Sequence, residues 1–353
     1  MDDLTSRPVP DALAPPDERT SLRERWSGWI GGGWIFALLI LLVLVFSLLR
    51  PAQFASPYNL SMLAINAAIF LVLSLGQTFV IVAGGIDLSV GSVLVFSSIL
   101  SAQVMLALSG APADTYGTTN AGWGVILIGA VTALASGAAW GAVNGLLVTF
   151  ARIPPLIVTL GTLGMALGAA QILTNGLDVR ALPDLLVNVI GGGSIAHIPV
   201  LVLIAVIAAV LAAILLHLTR FGLRTFAVGS NTEASRRAGI PVRGQIIKVY
   251  ALSGLSAGLG AIMSTARFST TTIGGHAMDN LTVISAVVLG GTSLFGGIGS
   301  IAGTVVGVLI PIVLLNGFVI LGIPPFWQTV TMGAVLILAV WIDQLKRRAR
   351  DRG

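Results

Sequence analysis

Phe70–Leu100 reads FLVLSLGQTFVIVAGGIDLSVGSVLVFSSIL, and Asp87 is its one charged side chain. Two apolar runs meet there, at Gly84 and Gly85. Each extends to about the 20 residues that a helix needs to cross a hydrocarbon core. In lipid every backbone amide and carbonyl needs a partner inside the protein, and long continuous runs suit helices rather than barrel strands. The stretch therefore predicts two membrane helices separated by a break, with a carboxylate at the break.

The rest of the chain has the same character. Of 353 residues, 56% are hydrophobic and only 9% charged, against about 25% charged in an average soluble domain. That is too little charge to cover a water-facing surface. Ten stretches read as spans: 30–49, 60–83, 89–109, 123–150, 156–174, 198–217, 246–266, 281–292, 300–321 and 326–343. The eighth is short and reads as a half-helix or as leaning on its glycine-rich neighbour. The expected fold class is an all-α polytopic membrane protein with about ten transmembrane helices. A disordered cytoplasmic tail is expected over 1–29, a transmembrane domain over 30–345 and a basic cytoplasmic tail over 346–353. The N-terminal tail shows no A-x-A cleavage pattern and does not read as a secretory signal. There is no cysteine, which excludes disulfide and thiol chemistry.

Lys and Arg collect on the cytoplasmic side of membrane proteins. With the N-terminus inside and ten alternating spans, sixteen of the nineteen Lys and Arg fall inside; Arg50, Arg180 and Arg267 fall outside. Both termini are therefore expected in the cytoplasm. The net charge of +5 follows from this topology and gives no reason to invoke nucleic acid.

Glycine is abundant and repeats at four-residue spacing: Gly137, Gly141 and Gly145; Gly254 and Gly258; Gly299, Gly303 and Gly307. Small residues so placed let helix backbones approach closely. The expectation is tight packing within one bundle, with a dimer contact as the alternative.

Polar residues inside the spans are few. Asp87 has two readings that coexist: a cap for the helix that follows, whose free amides suit a carboxylate, and a residue of a water-filled path at a broken helix. Asn66, Gln77, Asn144, Thr159 and Thr162 are uncharged polar groups suited to bonds between helices or to a polyol. The candidates for the path are Asn66, Gln77, Asp87, Ser89, Asn144, Thr292 and Ser293. One intramembrane carboxylate is thin support for proton or sodium coupling.

The inner loop 218–245 is too long for a turn. Asn231 or Thr232 is placed to cap a short helix through Glu233, Ala234, Ser235, Arg236 and Arg237, with Gly239 closing it and Pro241 preventing continuation. Such a helix reads either as a docking knob or as an interfacial element with its arginines at lipid headgroups. No G-x-x-x-x-G-K-[ST], H-E-x-x-H or G-x-S-x-G occurs, and the three histidines have no metal-ligand spacing. The chain is not read as an enzyme, and no cofactor or metal is assigned to it.

Three stretches carry a resemblance: "GGIDLSVGS" at 84–92, "AVGSNTEASRRAGIPV" at 227–242 and "AVVLGGTSLFGGIGSIAGTVVG" at 286–307. In order and spacing they resemble the membrane permeases of ribose/xylose-type ABC importers, over about 35–345. The resemblance implies a bacterial inner-membrane permease with helices arranged as in vitamin B12-type (type II) importers. It also implies a homodimer, a periplasmic binding protein that delivers a sugar, and a separate cytoplasmic ATPase that carries the Mg–ATP. The 227–242 segment then becomes the coupling element, with Gly229, Asn231, Glu233, Ala234, Gly239 and Ile240 on the family pattern and Arg236 and Arg237 between them. One departure stands out. Many family members carry two acids in the eighth span where this chain has Asn280 and Thr282, which opens the choice of solute to other pentoses, hexoses, polyols or an autoinducer-like sugar. A nucleoside or branched-chain amino acid permease of the same architecture and an ion-coupled secondary carrier are the alternatives.

Overall fold

The computed structural model describes residues 35–112, 115–276 and 279–350. The expected tail over 1–29 lies outside these residues, as do 351–353. Helices follow one another in the order α1 (Ile35–Leu49), α2 (Pro51–Phe54), α3 (Pro57–Val82), α4 (Val90–Ser109), α5 (Trp123–Thr149), α6 (Pro155–Thr174), α7 (Val200–His217), α8 (Arg220–Ser230), α9 (Thr232–Arg237), α10 (Val242–Phe268), α11 (Asp279–Leu289), α12 (Ile301–Ile320) and α13 (Pro325–Arg350). Each of the ten expected spans carries a helix. Seven of them (α3–α7, α10 and α12) are long and apolar enough to cross a membrane; Ile35–Leu49, Asp279–Leu289 and the apolar part of α13, Pro325–Trp341, are shorter. Helix continues to Arg350 through most of the stretch expected as a basic tail. Between α6 and α7 a π-helical turn covers Leu186–Gly191, and the strand Gly117–Thr119 pairs in parallel with Ala181–Pro183.

Local chemistry places the helix ends. Ser56 caps α3 by accepting from Asn59 N at 3.2 Å, with Pro57 in the first turn, where its missing N–H costs nothing. Ser300 caps α12 by accepting from Gly303 N at 3.0 Å. Pro155 opens α6, and left-handed Asn175 ends it.

The glycine stripes meet one another. A Cβ at Gly137 would lie 2.9 Å from Gly258 N, and one at Gly254 would lie 2.9 Å from Gly141 N. A Cβ at Gly145 would lie 2.6 Å from the Ile247 Cα. The stripes of α5 and α10 therefore face each other, backbone to backbone. Gly303 and Gly307 seat against Gly290 on the α11 side in the same manner. These faces are used within the chain, as the single-bundle expectation holds. Dispersion is the main attraction between helices in lipid, and close backbone approach maximises it.

The core lies around α3, α4, α10 and α11. Leu73, Val90, Val93, Leu94, Ala261 and Val283 form one buried cluster there. The outward faces of α6 and α7 are apolar and exposed, including Leu156, Ile157 and Leu160 on α6 and Val206, Ile207 and Leu211 on α7. In water such a surface would drive aggregation; in a bilayer it meets lipid tails.

Candidate translocation and coupling site

The break predicted after Val82 is present. Helix α3 ends at Val82, a turn covers Ala83–Gly84, and residues 85–87 are non-helical before α4 starts at Val90. Gly84 takes φ +80°, a left-handed conformation open to glycine at no steric cost. A Cβ on Gly85 would lie 2.6 Å from the Tyr250 hydroxyl.

Non-helical backbone is tolerated at membrane depth only where protein or water satisfies it. Here four helices reach in to do so, and a fifth, α5, bonds a side chain of the same segment. From α3, the Gln77 amide, in the orientation that satisfies both of its atoms, donates to Asp87 O and accepts from Asp87 N, each at 3.2 Å. From α6, the Thr159 hydroxyl lies 3.3 Å from Ile86 O and shares its proton with Pro155 O at 3.0 Å. From α10, Tyr250 donates to Ile86 O at 3.4 Å. From α11, Asn280 Nδ2 donates to Leu88 O at 3.2 Å. From α5, Asn144 Nδ2 donates to Ser89 Oγ at 2.8 Å.

Asp87 is 2% exposed. Its Oδ1 accepts from Ser89 N at 2.9 Å and Ser89 Oγ at 2.6 Å, and its Oδ2 accepts from Ser253 Oγ at 2.9 Å, roughly halfway along α10. Removing a carboxylate from water is costly unless hydrogen bonds replace the lost hydration. Three donors do so here. The bond to Ser89 N closes a local turn ahead of α4; the N-cap position itself is taken by Ser89, and α4 has no side-chain cap, so the helix cap expected of Asp87 is not formed. The bond to Ser253 ties the same carboxylate to a second helix.

Gln77, Asp87, Ser89 and Asn144 are thus brought together. Asn66 lies three turns earlier than Gln77 on the same face of α3, half-buried and without a hydrogen bond among the described residues. Thr292 and Ser293 lie beyond α11. Thr292 is buried; Ser293 Oγ donates to Asp343 Oδ2 on α13 at 3.2 Å. Thr162 is buried and returns its hydroxyl to Thr159 O. Two of the path candidates hold buried polar atoms without a partner among the described residues: Asn144 Oδ1 and Thr292 Oγ1.

The 218–245 segment is mostly helical. Asn231 ends α8 and caps α9, its Oδ1 accepting from Ala234 N at 2.8 Å. Glu233 pairs with Arg236 at 3.5 Å and Arg237 at 3.3 Å, all three side chains more than half exposed. Gly239 at φ +78° closes α9: its N–H donates to Arg236 O, and Ile240 N donates to Ser235 O, each at 3.0 Å. This is the Schellman closure, which needs a left-handed residue at that position. Gln245 on α10 fixes α8 by donating to Thr225 Oγ1 at 2.8 Å and Phe221 O at 3.0 Å.

The three conspicuous sequence stretches converge. Gly297 N donates to Val82 O at 2.8 Å. A Cβ on Gly229 would overlap Val82 O and lie 2.7 Å from Gly297 N. A Cβ on Gly296 would lie 2.7 Å from Gly229 O and 3.0 Å from Gly84 Cα. The exposed α8–α9 hairpin therefore rests, backbone on backbone, against the turn that leads into the Asp87 break.

Sequence reasoning passed over Ser253, Tyr250 and Asn280 as partners of the break. It also passed over a buried chain from Ser264 Oγ to His276 Nε2 (2.8 Å) and His276 Nδ1 to Asp279 Oδ2 (2.6 Å). Asp279, which falls between the expected spans 246–266 and 281–292, is the first residue of α11 and buried. The available signal was the clustering of His276, Asp279 and Asn280 ahead of an unusually short apolar run. Among the described residues no group of three or more His, Asp or Glu is placed to hold a metal ion.

A family profile described as branched-chain amino acid transport system / permease component matches residues 59–340. The ribose import permease protein RbsC of Bacillus subtilis (strain 168) is 38% identical over 88% of this chain and 92% of its own length. The D-allose transport system permease protein AlsC of Escherichia coli (strain K12) is 32% identical over 88% and 90%. The L-arabinose ABC transporter permease protein AraH of Azospirillum brasilense is 33% identical over 99% and 97%. No solved structure matches the chain.

Proposed function

We propose, from the premise that the chain belongs to the branched-chain amino acid transport system / permease component family, that it is the permease subunit of an ATP-binding-cassette importer for a monosaccharide. It is an integral protein of the bacterial inner membrane. Its relatives named for ribose, allose and arabinose support a sugar over an amino acid as solute. The complete importer adds a cytoplasmic ATPase, a periplasmic sugar-binding protein and a second copy of the permease. The chain carries no nucleotide-binding loop of its own, so the energy enters from the ATPase. Ten spans, both termini in the cytoplasm and a B12-type helix arrangement complete the reading.

The observation that carries the proposal is the glycine junction of Gly84, Gly229 and Gly296–Gly297. An exposed hairpin of two short helices suits a groove on a partner. Close-packed backbone transmits its displacement without the slack of long side chains. Movement of α8–α9 on ATP binding would press on the Ala83–Gly84 turn and re-aim the 85–89 segment. Its hydrogen bonds to five helices then re-form in a second arrangement, and Asn144 Oδ1 and Thr292 Oγ1 gain partners from solute or water. Leaving a buried acceptor unpaired costs about 1–3 kcal/mol, which the solute-bound state relieves.

The test is reconstitution in vesicles with the ATPase and binding protein. Sugar accumulates only with all three components and ATP. Uphill uptake by the permease alone, or uptake that follows a proton or sodium gradient without the ATPase, refutes the reading.

A further inference from the structure

At the end of the bundle remote from α8 and α9, where α4 and α6 terminate, lies a cavity of about 730 Å³, within the range of roughly 300–1,000 Å³ typical of small-molecule sites. Its wall combines apolar side chains such as Leu106 and Leu177 with Gln103, Tyr116, Asp178 and Arg180. Arg180 lies over the Tyr116 ring at 5.9 Å and has no carboxylate partner among the described residues. Asp178 Oδ1 accepts from Ile273 N at 2.8 Å and Thr271 Oγ1 at 3.1 Å, while Oδ2 makes no hydrogen bond among the described residues. Gln103 donates to Leu173 O at 2.7 Å, and its carbonyl oxygen accepts no hydrogen bond among the described residues.

We infer that this cavity is a reception subsite for one neutral monosaccharide, with the exposed Tyr116 ring packing against a C–H face and Asp178, Arg180 and Gln103 binding hydroxyls. The inference rests on the monosaccharide-import reading above. A sugar presents both donors and acceptors on each hydroxyl, and the wall offers free acceptors on Asp178 and Gln103 beside the donors of Arg180. An acid and a base in one wall disfavour a simple anion or cation.

The cavity is also wired to the break. Asp178 holds the 270–273 loop, which Val179 holds again by accepting from Thr271 N at 3.1 Å and Thr270 Oγ1 at 3.1 Å. That loop runs to His276 and the start of α11, where Asn280 holds Leu88 O. A solute seated on Asp178 thus bears on the same half-helix that supports the Asp87 segment.

The test uses the complete importer in vesicles, with Tyr116→Ala and Arg180→Gln, two exposed positions that spare the bonds of Asp178 to its loop. Labelled D-ribose, D-allose, L-arabinose, D-galactose and L-leucine are the probes. The expected result is that each variant retains binding-protein-stimulated ATP hydrolysis within about two-fold while sugar moved per ATP falls about ten-fold, as loss of one or two hydrogen bonds to solute predicts. Unchanged sugar transport in both variants overturns the subsite alone. Parallel loss of ATPase stimulation also overturns it, and makes this wall a docking surface for the binding protein. Wild-type import of L-leucine, or of none of the sugars, overturns the monosaccharide reading and the subsite with it.

Discussion

The amide of Gly297 donates to the carbonyl of Val82 at 2.8 Å, across 215 positions of sequence, and between them Gly229 fits only because it has no side chain. Val82 is the last helical residue before the break, Gly297 lies in the loop that leads into α12, and Gly229 belongs to α8. Three separated glycine-bearing stretches thus form one mechanical contact.

Gly229→Ala places a methyl group against Val82 O, 2.7 Å from Gly297 N. Overpacking of this kind costs about 1–3 kcal/mol. The variant is expected to melt earlier in detergent and, where it assembles, to hydrolyse ATP without moving sugar. Gly244→Ala, where an added Cβ meets nothing within 4 Å, is the control and leaves both properties unchanged.

Asp87→Asn keeps one acceptor for Ser89 but removes the charge from three hydrogen bonds. A bond to a charged group contributes about 1.5–3 kcal/mol, so the balance between two states of the break shifts roughly ten-fold or more. Assembly and ATPase binding are expected to persist while sugar uptake drops. Ser253→Ala acts in the same direction and less strongly. Wild-type uptake by both variants leaves the carboxylate with the role of holding its local turn alone.

Glu233→Lys reverses the charge that holds Arg236 and Arg237. These pairs are exposed, and such pairs contribute at most about 1 kcal/mol, so the melting temperature barely moves. The docking surface does change: co-purification with the ATPase and coupled hydrolysis are expected to fall together. Normal coupling in this variant places the docking surface elsewhere.

Asn280→Asp removes the donor that satisfies Leu88 O and sets a carboxylate against a carbonyl. The loss of the bond, about 1–3 kcal/mol for an acceptor left unpaired in a buried place, is expected to loosen α11 from the break. Transport falls more than assembly does, read as uptake against the yield of intact complex. Unaltered transport shows that Gln77, Thr159, Tyr250 and Ser253 hold the segment without α11.

Much of this architecture is legible in one dimension. A membrane forces backbone groups to pair locally, so apolar runs become helices wherever they occur, and the ten runs do. Turn chemistry is equally local: Asn231 before Glu233 and Gly239 after Arg237 specify α9 through caps that span only a few residues. Even the helix break at Gly84–Asp87 is written in its own neighbourhood.

What the sequence by itself determined is therefore the lipid solvent, the helices and the family to which they belong, because each depends on composition or on contacts within about one helical turn. Only the tertiary structure decided that Gly141 meets Tyr250, that Ser253 shares the Asp87 carboxylate and that Gly84, Gly229 and Gly297 touch. The reason is physical. A stripe of small residues states that something approaches closely but carries no record of which backbone does, and a serine or asparagine in a helix looks alike whether it bonds to its own turn or to a carboxylate 166 residues away. Those pairings are choices among many sterically similar ones, settled by the packing of the whole bundle at once.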